Sequence, residues 1–375
     1  MIPYSCQSIS QEDIDEVVRV LQSSHLTQGK EVELFEEALC AYLGIKHAIT
    51  FNSATSALLA AYSIAEISQD DEIITSPISF VATSNMFVSL GAKPIWCDVR
   101  LDGNIDETRI EALITPKTKA IVPVDFAGKS VAIEKIKKIA EKHKLLIIED
   151  AAHAFGSSIG GKKVGTFADM SIFSFHAIKP FTTGEGGCVV TDNEEFAREL
   201  RLFRSHGMVK KKLWNSDMQA IGHNFRLTEF AAALGRSQLS RVDSFIEKRE
   251  EIARYYEERF TGHKLFGIIK RDPNTRSSHH LYPILLHPSL HCVKEEIFEE
   301  LQTRGLGVQV HYKPIYQNSF YKEKFGETRL DVAEDFYRSE ISIPCHQGMG
   351  LEDAALVADT LLEVLEKYAY RGCSF

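Results

Sequence analysis

The chain has 375 residues, 44% hydrophobic and 25% charged, which is enough for two hydrophobic cores, and its formal net charge is −9. That acidic balance excludes nucleic acid and anionic membrane as principal partners, and no run approaches the ~20 apolar residues that span a bilayer. Seven scattered cysteines with no CxxC pair exclude a disulfide framework and a metal site of the zinc type. With no basic, apolar leader over residues 1–11, a cytoplasmic location is expected.

In chain order, a helix is expected over residues 12–21, then an extended loop around His25-Leu26-Thr27-Gln28-Gly29. A second helix covers 32–43 and stops at Gly44, the residue type that most readily closes a helix. From there to about residue 190, short apolar strands (48–51, 72–75, 94–98, 120–125, 145–150, 170–175, 187–191) alternate with helices (56–67, 82–89, 105–114, 132–143). That rhythm predicts a largely parallel sheet covered by helices on both faces, with ligands at the carboxyl ends of the strands. After a polar segment at 210–217, one long helix is expected from 228 towards 260. Beyond it the pattern is α+β, with strands at 281–286 and 307–311 and helices at 294–304 and 351–368. The fold class is therefore α/β, with a large domain over 1–245 and a smaller C-terminal α+β domain over 246–375.

Four stretches carry chemistry. Lys179 follows the apolar strand that ends at Phe175, in a loop broken by Pro180, Gly184, Gly186 and Gly187; alone it reads as a solvated loop charge. Asn52-Ser53-Ala54-Thr55-Ser56 lies where a strand gives way to a helix; alone it reads as a helix cap, and its amides and hydroxyls also suit a phosphate. Leu145 to Ile148 deliver Glu149, Asp150 and His153 to a strand end, where an acid needs a cation partner unless it faces solvent. Gly222 to Glu229 offer Asn224 and Arg226 to a phosphate, with Thr228 as a helix cap in the structural reading. Together these supply an amine able to condense with an aldehyde, a carboxylate for a ring nitrogen and a helix-end phosphate cup. Pyridoxal 5′-phosphate requires that combination.

The order Leu26-Thr27-Gln28-Gly29, Asn52 to Leu58, Glu149 to Ala154, Phe173 to Lys179, Gly184 to Gly187, Arg204 to Gly207 and Gly222 to Leu227 resembles the DegT-type sugar aminotransferases over nearly the whole chain. The resemblance implies the aspartate aminotransferase-like fold type I of pyridoxal-phosphate enzymes and action on nucleotide-linked keto sugars. Stretches 280–285, 308–314 and 343–346 are most similar to a branch that aminates a UDP-linked sugar in pseudaminic acid synthesis, with L-glutamate as donor.

By that resemblance Lys179 bonds the cofactor and moves a proton, Asp150 pairs with the pyridine nitrogen, and Phe80 stacks on the ring. Thr55, Ser56 and Ser174 bind the phosphate, joined by Asn224 from the second subunit of a homodimer. His153 replaces a glutamine common in relatives near the ring oxygen. Thr27, Gly29, His311, Tyr312 and Lys313 resemble sugar-nucleotide contacts, and His206 and Arg226 contacts to the diphosphate or the glutamate carboxylate. A sugar 3-dehydratase of this fold carries histidine at the lysine position, so Lys179 favours transamination. A sugar-sensing regulator without catalysis is the more distant alternative.

Overall fold

The structure, a computed structural model, describes residues 1–369; residues 370–375, the end of the expected second domain, lie outside the described residues. The strands are β1 (His47–Phe51), β2 (Glu72–Thr75), β3 (Lys93–Trp96), β4 (Thr118–Val122), β5 (Leu146–Asp150), β6 (Ser158–Ile159), β7 (Lys162–Lys163), β8 (Met170–Ser174), β9 (Gly187–Thr191), β10 (Met208–Lys212), β11 (Asn215–Met218), β12 (Phe266–Ile268), β13 (Thr275–Arg276), β14 (Tyr282–Leu286) and β15 (Glu340–Ile343). Strands β1-β9-β8-β5-β4-β2-β3, in that order, form a seven-stranded sheet. From β8 to β3 the neighbours are parallel, and β9 runs against both β1 and β8.

Parallel neighbours cannot be joined by tight turns, so helices Ala54–Ile64, Ala82–Ser89 and Ile133–His143 carry the crossovers. Alternation along the strands sorts the core into two faces. Ile73 packs with Ala61 and Phe87 on one side, while Ile74 packs with Ile121, Ile136 and Ile147 on the other. Phe35 and Leu39 of helix Glu31–Leu43 cover the second face further along, against Phe173 and Phe175. This is the α/β architecture expected from the strand–helix rhythm. Gly44 ends its helix in the left-handed conformation (φ 73°) that a residue with a side chain adopts reluctantly.

A second, antiparallel sheet, β12-β14-β15, is covered by helices Lys294–Thr303 and Leu351–Ala369. Its core joins Ile284, Leu301, Ile341 and Leu361. Helix Val242–Phe260 reaches both cores: Phe245 and Ile246 pack under the large sheet, Ile252 and Tyr256 under the small one. Arg249, between them and fully buried, donates to the carbonyls of His279, His280 and Cys345 at 3.0, 3.3 and 2.8 Å.

Three expectations are corrected. The long helix from 228 is two, Glu229–Leu239 and Val242–Phe260. The chain leaves helical geometry at Arg241 (φ −114°, ψ 2°), whose guanidinium pairs with the buried carboxylate of Asp13 in helix Gln11–Leu21. Residues 307–311 are not a strand, because β15 takes the place beside β14 and only Gln309 bridges to Ser342. The polar segment 210–217 belongs to the β10–β11 hairpin, whose side chains are almost all exposed. With neither face buried, it lacks the alternation that marks a strand. Among the described residues, no helix is long and apolar enough to cross a membrane.

At Gly187, where β9 begins, an added Cβ would lie 2.6 Å from the Ala54 N and Cα atoms and 2.8 Å from the Phe173 carbonyl oxygen. All three are backbone atoms that cannot rotate away. Gly187→Ala is therefore expected to destabilise the fold by about 3 kcal/mol, as overpacking does, read from the midpoint of urea denaturation.

Candidate active site

The parallel strands β1, β5 and β8 end on the same side of the sheet, and the loops that follow enclose a cavity of about 380 Å³. Thr55, Phe80, Asp150, His153, Ser174, Lys179 and Tyr312 all line it, together with Ser53, Thr83 and His176. A wider groove of about 860 Å³ lies elsewhere, around Arg109 and Lys129. Two of its cations are already matched, Lys129 to Asp102 and Arg109 to Asp98 and Asp106, and it holds none of the expected site residues.

Lys179 is 8% exposed, with its amide bonded to the His176 carbonyl at 2.9 Å. Burial lowers its amine to about 7, against the opposing pull of Asp150. Asp150 is the last residue of β5. Its Oδ2 accepts from the Thr83 hydroxyl at 2.6 Å and its Oδ1 from the Ala152 amide at 3.1 Å. Burial raises its carboxyl above the ordinary value; those two bonds and the charge of Lys179 act the other way. Glu149, one residue earlier, points to the opposite face of the strand. There it accepts from the Ser171 hydroxyl at 2.7 Å, in a buried pair with Asp125 that burial pushes upward. Side-chain alternation thus separates two adjacent acids that looked equivalent in sequence.

Ser53 caps helix Ala54–Ile64, its hydroxyl accepting from the Ser56 amide at 3.1 Å. The cap leaves room for an anion as well, since a first helical turn presents unpaired amides. Thr55 lines the cavity. Ser56 does not: its hydroxyl is buried and bound to Asn52 Oδ1 at 2.6 Å. Phe80 is 58% exposed over the cavity, its ring centre 6.3 Å from that of Tyr312. His153 is buried, with Nε2 3.2 Å from the Tyr312 hydroxyl and Nδ1 without a partner among the described residues. Burial and the nearby Lys179 keep its imidazole neutral.

The other expected contacts lie outside this cavity. Thr27 is exposed, and Gly29 presses against Glu229, whose Oε2 would sit 2.8 Å from an added Cβ. His206 and Asn224 are exposed and Arg226 half-buried, on the chain that follows helix Glu194–Arg204. His311 is buried, its amide bonded to Glu340 Oε2 at 2.6 Å and its Nδ1 2.8 Å from Ser342 Oγ. Lys313 is exposed. Sequence reasoning missed Thr83 and His280, the second of which has Nε2 3.4 Å from the Lys179 amine. Thr83 lies far along the chain from Asp150, and no local pattern marks either residue.

The cavity suits pyridoxal 5′-phosphate. It combines a reactive amine, a carboxylate with no cation in contact, a helix start edged with hydroxyls, an aromatic face and an unpaired imidazole nitrogen. Residues 7–362 match the model of the DegT/DnrJ/EryC1/StrS aminotransferase family. The chain is 51% identical, over 100% of both sequences, to a UDP-4-amino-4,6-dideoxy-N-acetyl-beta-L-altrosamine transaminase of Campylobacter jejuni. It is 50% identical to a Helicobacter pylori protein of the same name, over 97% of this chain and 98% of the other. Among solved structures, Helicobacter pylori PseC, an aminotransferase involved in the biosynthesis of pseudoaminic acid, superposes with a TM-score of 0.96 at 49% identity, over 98% of this chain and 99% of that one. The PLP-form of the putative sugar aminotransferase Spr1654 from Streptococcus pneumoniae gives 0.93 at 30% identity, over 98% and 99%.

Below about 7 the Lys179 amine is protonated and unreactive, and above it the amine is free. Labelling of Lys179 by cyanate, followed by peptide mass spectrometry, is expected to rise with a midpoint near that value, while exposed lysines respond only at far higher pH. Asp150→Asn removes the charge that favours the ammonium form, so the midpoint is expected to move lower still.

Proposed function

Because the chain belongs to the DegT/DnrJ/EryC1/StrS aminotransferase family, we propose that it moves the amino group of L-glutamate to the C4 ketone of UDP-2-acetamido-2,6-dideoxy-β-L-arabino-hexos-4-ulose. The product is UDP-4-amino-4,6-dideoxy-N-acetyl-β-L-altrosamine, and the cofactor is pyridoxal 5′-phosphate. The reaction class is carried by one observation: a buried lysine of lowered basicity faces the same cavity as a buried aspartate. Full-length identity to transaminases of that name supports the choice of sugar.

When bound, pyridoxal phosphate supplies an electron sink and stores the amino group between the two half-reactions. Lys179 holds it covalently and, once released, carries a proton to or from the substrate carbon. Its depressed basicity leaves a free amine at neutral pH, as both tasks require. Asp150 faces the pyridine nitrogen and keeps it protonated, while Thr83 fixes the carboxylate.

The first turn from Ser53, with the hydroxyls of Thr55 and Ser174, receives the phosphate. Ser56 supports that turn through its bond to Asn52. Phe80 covers one ring face, and His153, with an unpaired Nδ1, meets the ring oxygen. Asn224 is exposed and absent from its own chain's cavity, which supports its service to the phosphate of a second copy in a homodimer. Tyr312 and His311 border the sugar, with Thr27, Gly29 and Lys313 further out, and His206 and Arg226 take the anionic groups of the two substrates.

The test is incubation of the pure protein with glutamate and a panel of nucleotide-linked 4-keto and 3-keto sugars, with products identified by mass and NMR. Amination of the UDP-linked 4-keto sugar is expected, falling at least about a thousandfold in Lys179→Ala and about a hundredfold in Asp150→Asn. Product from a 3-keto sugar alone would overturn the substrate, and product from none would overturn the transaminase reading.

A further inference from the structure

His280 stands just ahead of β14, in the chain that enters the second sheet, and its side chain is 1% exposed. Its backbone carbonyl is fixed by Arg249 Nη1 at 3.3 Å. The ring makes one hydrogen-bond contact among the described residues, Nε2 at 3.4 Å from Lys179 Nζ. Its Nδ1 is buried without a partner, and the ring lies 4.4 Å, centre to centre, from that of His153. Buried polar atoms in a packing residue are paired as a rule. Among the described residues, the contact with the lysine is the one use made of the imidazole's polarity.

A neutral imidazole has one N–H and one lone pair, and a neutral amine has two N–H groups and one lone pair. If His280 Nε2 donated, it would occupy the amine lone pair, and Lys179 could neither attack an aldehyde nor take up a proton. If Nε2 accepts, the lone pair stays free, and the same contact serves the ammonium form that the charge of Asp150 favours. Burial and the charge of Lys179 keep His280 unprotonated, so its lone pair is available.

We propose that His280 is a positioning residue for the Lys179 amine: its Nε2 accepts a hydrogen bond from Nζ and leaves the amine lone pair turned towards the cavity. The inference rests on the covalent role of Lys179 in the proposed function. In each cycle Lys179 is released and must bond the cofactor again, and a side chain held in one orientation does so faster than one that searches.

The experiment loads the full chain, freed of bound aldehyde, with pyridoxal 5′-phosphate and traps the adduct at Lys179 with borohydride over time. His280→Leu is expected to slow trapping about fivefold, the weight of one hydrogen bond. His280→Gln, whose amide oxygen also accepts, is expected to recover the rate to within about twofold. Nitrogen-15 NMR of the unaltered, histidine-labelled chain is expected to show His280 protonated on Nδ1 and bare on Nε2. Equal trapping rates in all three proteins would overturn the inference. So would a protonated Nε2 in the unaltered chain, whether or not the leucine variant folds. Absence of any adduct at Lys179 in the unaltered protein would instead overturn the proposed function.

Discussion

The Lys179 amine is held where little of its charge can be solvated, and the site is organised around that cost. An isolated ammonium in a dry interior is unfavourable enough that the group gives up its proton instead. Asp150, buried in the same cavity, is penalised in the opposite sense, and each offsets part of the other's cost. The outcome is an amine near neutrality beside a carboxylate that still lacks a cation in contact. A ligand bringing an aldehyde and a protonated ring nitrogen satisfies both groups, which makes the pair a poor structural ion pair and a good receptor.

The sheet supplies the rigidity this balance needs. Asp150 ends β5, whose register on the adjacent parallel strand β8 pairs it with Ile172, and Lys179 lies in the loop that follows β8. Sheet hydrogen bonds thus fix Asp150, while Lys179 is held by the turn in which its amide donates to the His176 carbonyl at 2.9 Å. Thr83, from the crossover helix Ala82–Ser89 between β2 and β3, ties the carboxylate to a third element. The chain around the smaller sheet approaches from the other side: His280 meets Lys179 and Tyr312 meets His153, both in loops that follow strands of the large sheet. Arg249 anchors that approach by gathering three carbonyls from two stretches, the adjacent His279 and His280 and the distant Cys345.

Other buried charges show the contrast. Glu340 accepts from the His311 amide and the Ser342 hydroxyl, both at 2.6 Å, and has Lys294 as a cationic partner. Glu149 has Ser171 and Asp125. Both lie in strands whose side chains are enclosed, and their bonds hold the chain in place. Asp150 differs in opening onto a cavity, and position, more than residue type, makes it available for chemistry.

Much of the fold was legible in the sequence, because strands buried on both faces must be continuously apolar and crossover helices must carry a repeating apolar stripe. The strands at 72–75 and 187–191 were read to the residue, and Lys179, Asp150, Thr55, Phe80, His153, Ser174 and Tyr312 were named and do line one cavity. What remained hidden has a common cause. The helix break at Arg241 depends on Asp13, the edge strand Glu340–Ile343 on β14, the exposed hairpin on no burial at all, and the contacts of Thr83 and His280 on partners distant along the chain. Local pattern records which residues avoid water and at what period. It does not record which distant group a side chain meets once the chain has closed, because that contact exists only in the packed molecule.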